Sequence, residues 1–154
     1  MTLLSGLVQR YDSLTVTLAS RVPDGLLLAF VRVVLAGIFW RSGETKVEAG
    51  TWFQVTETTY ELFRTEYAGV PLPPEFAALA ATAAEHIFPA LLVAGLFTRF
   101  AALGLLGMTL TIQVFVYPEA WWPVHSLWAA LALVLVLRGA GWLSLDALLV
   151  RGRR

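Results

Sequence analysis

The chain alternates between long apolar blocks and short polar or proline-bearing stretches. Four blocks stand out, at about residues 25–41, 76–97, 100–117 and 121–138. Each approaches the ~20 residues that a helix needs to cross ~30 Å of hydrocarbon, the shorter ones at the lower limit. The pattern predicts an all-α fold, an integral membrane four-helix bundle. Pro89 falls inside the second block, which predicts a kink there and a Glu85 carbonyl without its helical partner. Residues 95–99 form a tight connection to the third block, and Pro118 and Pro123 bracket the turn into the fourth.

Two further segments are amphipathic. In residues 3–18, Leu3, Leu4, Leu7, Val8, Tyr11, Leu14 and Leu18 recur at helical spacing, with Gln9, Asp12 and Ser13 opposite. This predicts a surface helix at the N-terminus. Between the first two spans, Trp52, Tyr60, Phe63 and Tyr67 form a similar stripe, with Glu57, Glu61 and Glu66 towards the wet side. The run GVPLPP ends it. For both segments, packing against the ends of the spans is the alternative. The ending SLDALLVRGRR reads as a short surface helix with a basic end suited to anionic lipid.

Composition agrees with a lipid solvent. Of the 154 residues, 58% are hydrophobic and only 14% charged, against about 25% charged in an average soluble domain. The formal net charge is zero, which argues against a nucleic-acid partner. Cysteine is absent, so thiol redox chemistry, disulfides and thiolate metal sites are excluded. The first residues have no basic stretch and too short an apolar run for a signal peptide. No internal repeat or low-complexity linker is visible, and without an inverted repeat a carrier or channel has little support.

The basic residues suggest an orientation. With the N-terminus inside, Arg10, Arg21, Arg99, Arg138, Arg151, Arg153 and Arg154 fall on the inner side, while Arg41, Lys46 and Arg64 fall outside. The positive-inside rule then puts both termini in the cytoplasm.

The polar residues within the spans carry the candidate chemistry. Arg32 lies roughly 10–12 Å in from the inner side, and Glu85 roughly 14–16 Å in from the outer side. A lone charge at such depth costs about 2.5–3.5 kcal/mol or more, so an Arg32–Glu85 ion pair is expected. Small residues at 77, 80, 81 and 84, with Gly104 and Gly107, supply close helix packing. His86, Gln113 and His125 extend a ladder of polar groups through the outer half of the bundle, capped by Trp40, Arg41 and Lys46. Such a ladder beside Trp121, Trp122 and Trp128 suits an apolar ring with a polar head, such as a membrane quinone. An interfacial tryptophan belt and a purely structural ion pair are the plainer readings. His86 and His125 on different helices would also permit haem ligation, although their depths differ. Glu85, His86 and His125 make an incomplete ligand set, so no metal site is assigned. No Ser–His–Asp arrangement or phosphate loop is present.

The stretch VRVVLAGIFWRSGETK, the loop GVPLPP and the run AEHIFPALLVAGLFTRFAALGL occur in an order that resembles the DoxX family. The likeness extends over about residues 26–146, within a single domain taken as 1–154. It implies a four-helix membrane protein of the bacterial inner membrane, and places Arg32, Lys46, Glu85 and Arg99 on the family's recurring positions. DoxX takes its name from relatives of a thiosulfate:quinone oxidoreductase subunit. The resemblance thus implies a link to quinone, and with the polar ladder the expected function is a quinone-interacting redox subunit. In it the ladder supplies Glu85, His86 and His125 as the reacting groups and Arg32, Trp40, Lys46, Gln113 and Trp128 around the cofactor. The segment from Val116 to Asp146 is similar to members that accompany copper-responsive bufferin-type peptide systems, which implies metal-stress defence. The alternative is a non-enzymatic scaffold or exporter component for a partner membrane or periplasmic protein or peptide, with self-association open.

Overall fold

The computed structural model describes residues 3–21 and 23–152. Arg153 and Arg154, two of the basic residues used for the orientation, lie outside them. The described residues form seven α-helices: α1 (Leu3–Arg21), α2 (Asp24–Glu44), α3 (Glu57–Thr65), α4 (Pro74–Ala94), α5 (Thr98–Phe115), α6 (Ser126–Arg138) and α7 (Leu145–Arg151). A 3₁₀ turn (Pro118–Ala120) and a π-helical turn (Trp121–His125) lead into α6. Among the described residues, four stretches are long and apolar enough to cross a membrane: Asp24–Glu44, Pro74–Ala94, Thr98–Phe115 and Pro118–Arg138.

The spans close into a ring in which α2 packs on α4, α4 on α5, α5 on α6, and α6 back on α2. Its centre holds Leu35 and Phe39 from α2, Leu92 from α4, Leu105 from α5, and Ala132 and Leu135 from α6. Alanines and glycines let the backbones approach, as at Gly104, where the Phe88 ring occupies the space a side chain would need. Apolar side chains also cover the outside, among them Phe30, Val93, Phe100, Val114 and Leu137. In water such a surface would aggregate; in a bilayer it is the ordinary lipid-facing coat.

α4 runs unbroken through Pro89, which is fully buried. Gly95 caps α4 with φ 65°, a left-handed conformation that suits glycine. α1 is not part of the ring. Leu4, Leu7, Tyr11 and Leu14 are exposed, as are Gln9, Asp12 and Ser13 on the other face, so these apolar residues are not packed on the bundle.

The stripe between the first two spans has a different outcome. Only Glu57–Thr65 is helical, and Phe63 is buried against Ala77 and Ala78 of α4. Packing on a span end therefore accounts for this segment, while Trp52 stays exposed. Arg64 ties α3 to the start of α4 through Glu75 (3.1 Å) and pairs with Glu57 (2.8 Å) and Glu61 (3.3 Å). α7 docks at the opposite end of the bundle. There the Asp146 amide donates to the Gly95 carbonyl (2.9 Å), and its carboxylate accepts from the amides of Phe97 (2.8 Å) and Thr98 (3.0 Å). α5 thus receives its N-terminal cap from a residue far along the chain.

A candidate ligand cavity beside a buried ion pair

The expected Arg32–Glu85 pair does not form. Arg32 Nη1 donates to the Leu92 carbonyl at 3.1 Å, and Nη2 to the Leu143 carbonyl at 2.5 Å. Leu92 is about two helical turns from Glu85, or ~10 Å along α4. Arg32 therefore stitches the α4–α5 turn to the segment before α7. The depth count failed because the end of α2, at Gly43, lies level with Glu85 and His86 in the middle of α4.

Glu85 is paired instead with Lys46. Oε2 lies 2.8 Å from Lys46 Nζ, and Oε1 accepts from the Ser42 hydroxyl at 3.0 Å. The ammonium also donates to the Ser42 hydroxyl (3.0 Å) and carbonyl (3.3 Å). Lys46 lies just beyond α2 and folds its side chain back along the last turn, using its apolar stem as cover. The i, i+4 spacing of Ser42 and Lys46 puts both on one face. Gly43 lets α4 come close, since a Cβ there would lie 3.1 Å from Cβ of Glu85 and 2.8 Å from Cε1 of His86. Both charged residues are buried. Oε2 has the Lys46 ammonium as its partner and retains further acceptor capacity.

This cluster forms part of the wall of a cavity of about 360 Å³ between the four spans and α3. Ala77, Ala80, Ala81 and Ala84 line one side. The sequence reading gave them to close packing; here their short side chains leave room. Phe39, Met108 and Ile112 make the cavity mostly apolar. Its polar groups are Glu85, Lys46, Ser42, Thr111, His125 and the phenols of Tyr67 and Tyr117.

His125 ends the π-helical turn and is buried. Gln113 Nε2 donates to the Pro118 carbonyl at 2.7 Å, which presents Oε1 to His125 Nδ1 at 2.8 Å. That arrangement makes Nδ1 the protonated nitrogen and leaves Nε2 as the acceptor of the neutral ring. Trp128 packs on His125 (5.2 Å between ring centres) and on Phe39 (5.4 Å), and also lines the cavity. Phe63 stacks on Tyr67 at 4.6 Å, and Tyr67 meets Tyr117 edge-on at 6.1 Å. Tyr117 donates to Glu66. Burial is the main cause that raises the Tyr67 phenol above its ordinary value, and the charge of Glu85 adds to it. The bond to Glu66 raises that of Tyr117.

His86 belongs elsewhere. Its Nδ1 donates to the Thr82 carbonyl at 2.8 Å, and its ring packs against Trp40 (5.2 Å) and Phe53 (5.8 Å). Trp40 donates to Glu44 at 3.1 Å. Of the residues singled out from the sequence, Glu85, Lys46, His125 and Trp128 line the cavity, whereas Arg32, Trp40, His86 and Gln113 do not. The two histidines thus do not face a shared space. Among the described residues, no three His, Asp or Glu side chains converge as a metal-binding group.

The sequence model of the DoxX family matches residues 27–118. The chain belongs to the DoxX family. An uncharacterized protein of Haemophilus influenzae is 30% identical over 143 residues, covering 83% of this chain and 86% of its own. No solved structure matches. The family match takes in Arg32, Lys46 and Glu85 but stops short of His125 and Trp128, so this DoxX protein completes its cavity from outside the matched segment.

Ser42, Tyr67 and Tyr117 were not predicted at the cavity, nor Asp146 as a cap. The spacing of Ser42 from Lys46 was the one available signal. The others depend on contacts between distant segments.

Proposed function

We propose that this DoxX protein binds the head group of a membrane quinone in the cavity and serves as a redox subunit of a larger membrane system. The supporting observation is the buried Glu85–Lys46–Ser42 cluster on the wall of an otherwise apolar cavity that His125 also lines. A cavity of about 360 Å³ with few polar groups has the size and character of a small-molecule site. The residues fit a quinone: aromatic and aliphatic walls for the ring, and cationic, hydroxyl and imidazole groups for its oxygens. When bound, a quinone supplies a couple that takes up electrons and protons together. The chain's own part is to orient the ring against Trp128, exclude water, and hold or release a proton at Glu85 Oε2, with Lys46 stabilising the carboxylate.

Electrons would come from a partner membrane or periplasmic protein, since this chain has no cysteine and the candidate reacting groups are acid–base groups. We place the protein in the bacterial inner membrane with both termini in the cytoplasm. Arg99, Arg138 and Arg151 at the α7 end support this orientation. Metal-stress defence is the proposed setting. A second reading has its own support: the same cluster fastens the end of α2 to α4, as a scaffold's helix register would require.

The test is extraction of bound small molecules from protein purified in mild detergent, identified by mass spectrometry, with an absorption spectrum before and after dithionite. Stoichiometric quinone, lost in Glu85→Gln and His125→Ala with the fold intact, is the expected result. An empty, colourless protein would leave the scaffold reading, and a Soret band would replace quinone with haem.

A further inference from the structure

At the α7 end, away from the cavity, the start of α5, the end of α6 and α7 enclose an open groove of about 820 Å³. Arg99, Arg138 and Arg151 line it, one from each helix. All three are exposed, and none of them forms an ion pair with a described residue. Arg99 makes one bond, to the Leu137 carbonyl at 3.3 Å. The acidic residue in the groove, Asp146, is already engaged, since both carboxylate oxygens accept amides at the start of α5. The groove therefore sets three guanidinium groups against one carboxylate and is net cationic.

Its position narrows the ligand. Arg138 ends α6 and Arg99 lies in the first turn of α5, so the guanidinium groups stand where the membrane-spanning segments stop. Phe97, Phe100 and Leu149 are exposed apolar members of the same groove. Cationic groups at the depth of lipid phosphates, next to apolar groups at the depth of the first methylenes, match one chemistry.

We propose that this groove binds the headgroup of an anionic phospholipid. The planar guanidinium groups suit the paired non-bridging oxygens of a phosphodiester. Three of them exceed the charge of a single phosphodiester, so a lipid with two phosphates, of the cardiolipin type, is the better match. Its acyl chains would run up the bundle past Phe97 and Phe100, and α7 would be held against the membrane surface by its own ligand. The site is independent of whatever occupies the cavity.

The experiment is native mass spectrometry of the full-length protein in detergent, titrated with cardiolipin and separately with phosphatidylcholine. Cardiolipin adducts are expected at much lower concentration, weakening with added salt. Arg138→Gln and Arg151→Gln should each weaken them about fivefold, while helicity by circular dichroism stays unchanged, because neither side chain holds a contact in the fold. Arg41→Gln, an exposed arginine at the other end of α2, should leave the adducts intact. Equal binding of phosphatidylcholine, or an equal loss in Arg41→Gln, overturns the proposal. Displacement by inorganic phosphate, but not by chloride at the same ionic strength, also overturns it by assigning the groove to free phosphate.

Discussion

Lys46 reaches back from beyond the end of α2 to place Nζ 2.8 Å from Oε2 of Glu85, inside the bundle. Two opposite charges are thereby buried together, with Ser42 hydrogen-bonded to both. Such a pair gains little over an apolar substitute, but breaking it leaves an uncompensated charge. Lys46→Met should therefore destabilise the protein by about 3 kcal/mol, and Glu85→Gln in the same chain should restore much of that. A double-mutant cycle on thermal unfolding in detergent measures the coupling. Arg32→Leu with Glu85→Gln should be additive within about 0.5 kcal/mol, because their bonding partners differ. Strong coupling between positions 32 and 85 would contradict the structure.

The Asp146 carboxylate spans from α7 to the first amides of α5. Asp146→Ala removes both acceptors and the negative charge at that helix start, a loss of about 1–2 kcal/mol. Hydrogen exchange should show faster exchange at the amides of Phe97 and Thr98 and looser attachment of α7. If those amides stay protected, the cap has no part in stability.

The two histidines should separate cleanly. His125 lines the cavity and His86 does not, so His125→Ala should release bound quinone while His86→Ala retains it. His86→Ala should instead cost stability through its lost packing on Trp40 and Phe53 and the lost side-chain bond to the Thr82 carbonyl. The measurement is ligand stoichiometry beside melting temperature for each variant. Equal ligand loss in both would mean that the cavity is not the binding site.

Tyr67 and Tyr117 bear on alkaline stability. Both phenols are raised from an ordinary value of 10.0, Tyr67 chiefly by burial and Tyr117 chiefly by its bond to Glu66. A group raised in the folded state contributes stability that is fully present below the unfolded value and lost as pH rises through the folded one. The protein should thus hold its stability up to about pH 10 and lose it above that. Ultraviolet titration of tyrosinate checks this. Tyr67→Phe and Tyr117→Phe should each remove a late-titrating phenol and flatten the decline.

Much of the fold was legible because lipid leaves a chain few choices. Every backbone polar group must be satisfied within its own segment, so long apolar blocks can only be helices. The spans, the surface character of α1 and the short final helix followed from block length and helical periodicity alone. The family pattern also marked Glu85 and Lys46 before their contact was known.

Which charge meets which was beyond the sequence. Counting residues gives depth only if each span begins at the membrane surface, and the end of α2 lying against the middle of α4 gave Glu85 to Lys46 and Arg32 to two carbonyls. Adjacent residues on one helix point about 100° apart, so Glu85 and His86 part company, one to the cavity and the other to Trp40 and Phe53. The alanines of α4 read as packing residues from the sequence, and only the placement of α3 and α5 around them turned their missing volume into a cavity. The sequence by itself determined the solvent, the helices and the supply of polar groups, because those depend on local composition. Partners, cavity and caps were decided by the tertiary structure, because each depends on the axial offset and rotation of helices that meet only when the bundle closes.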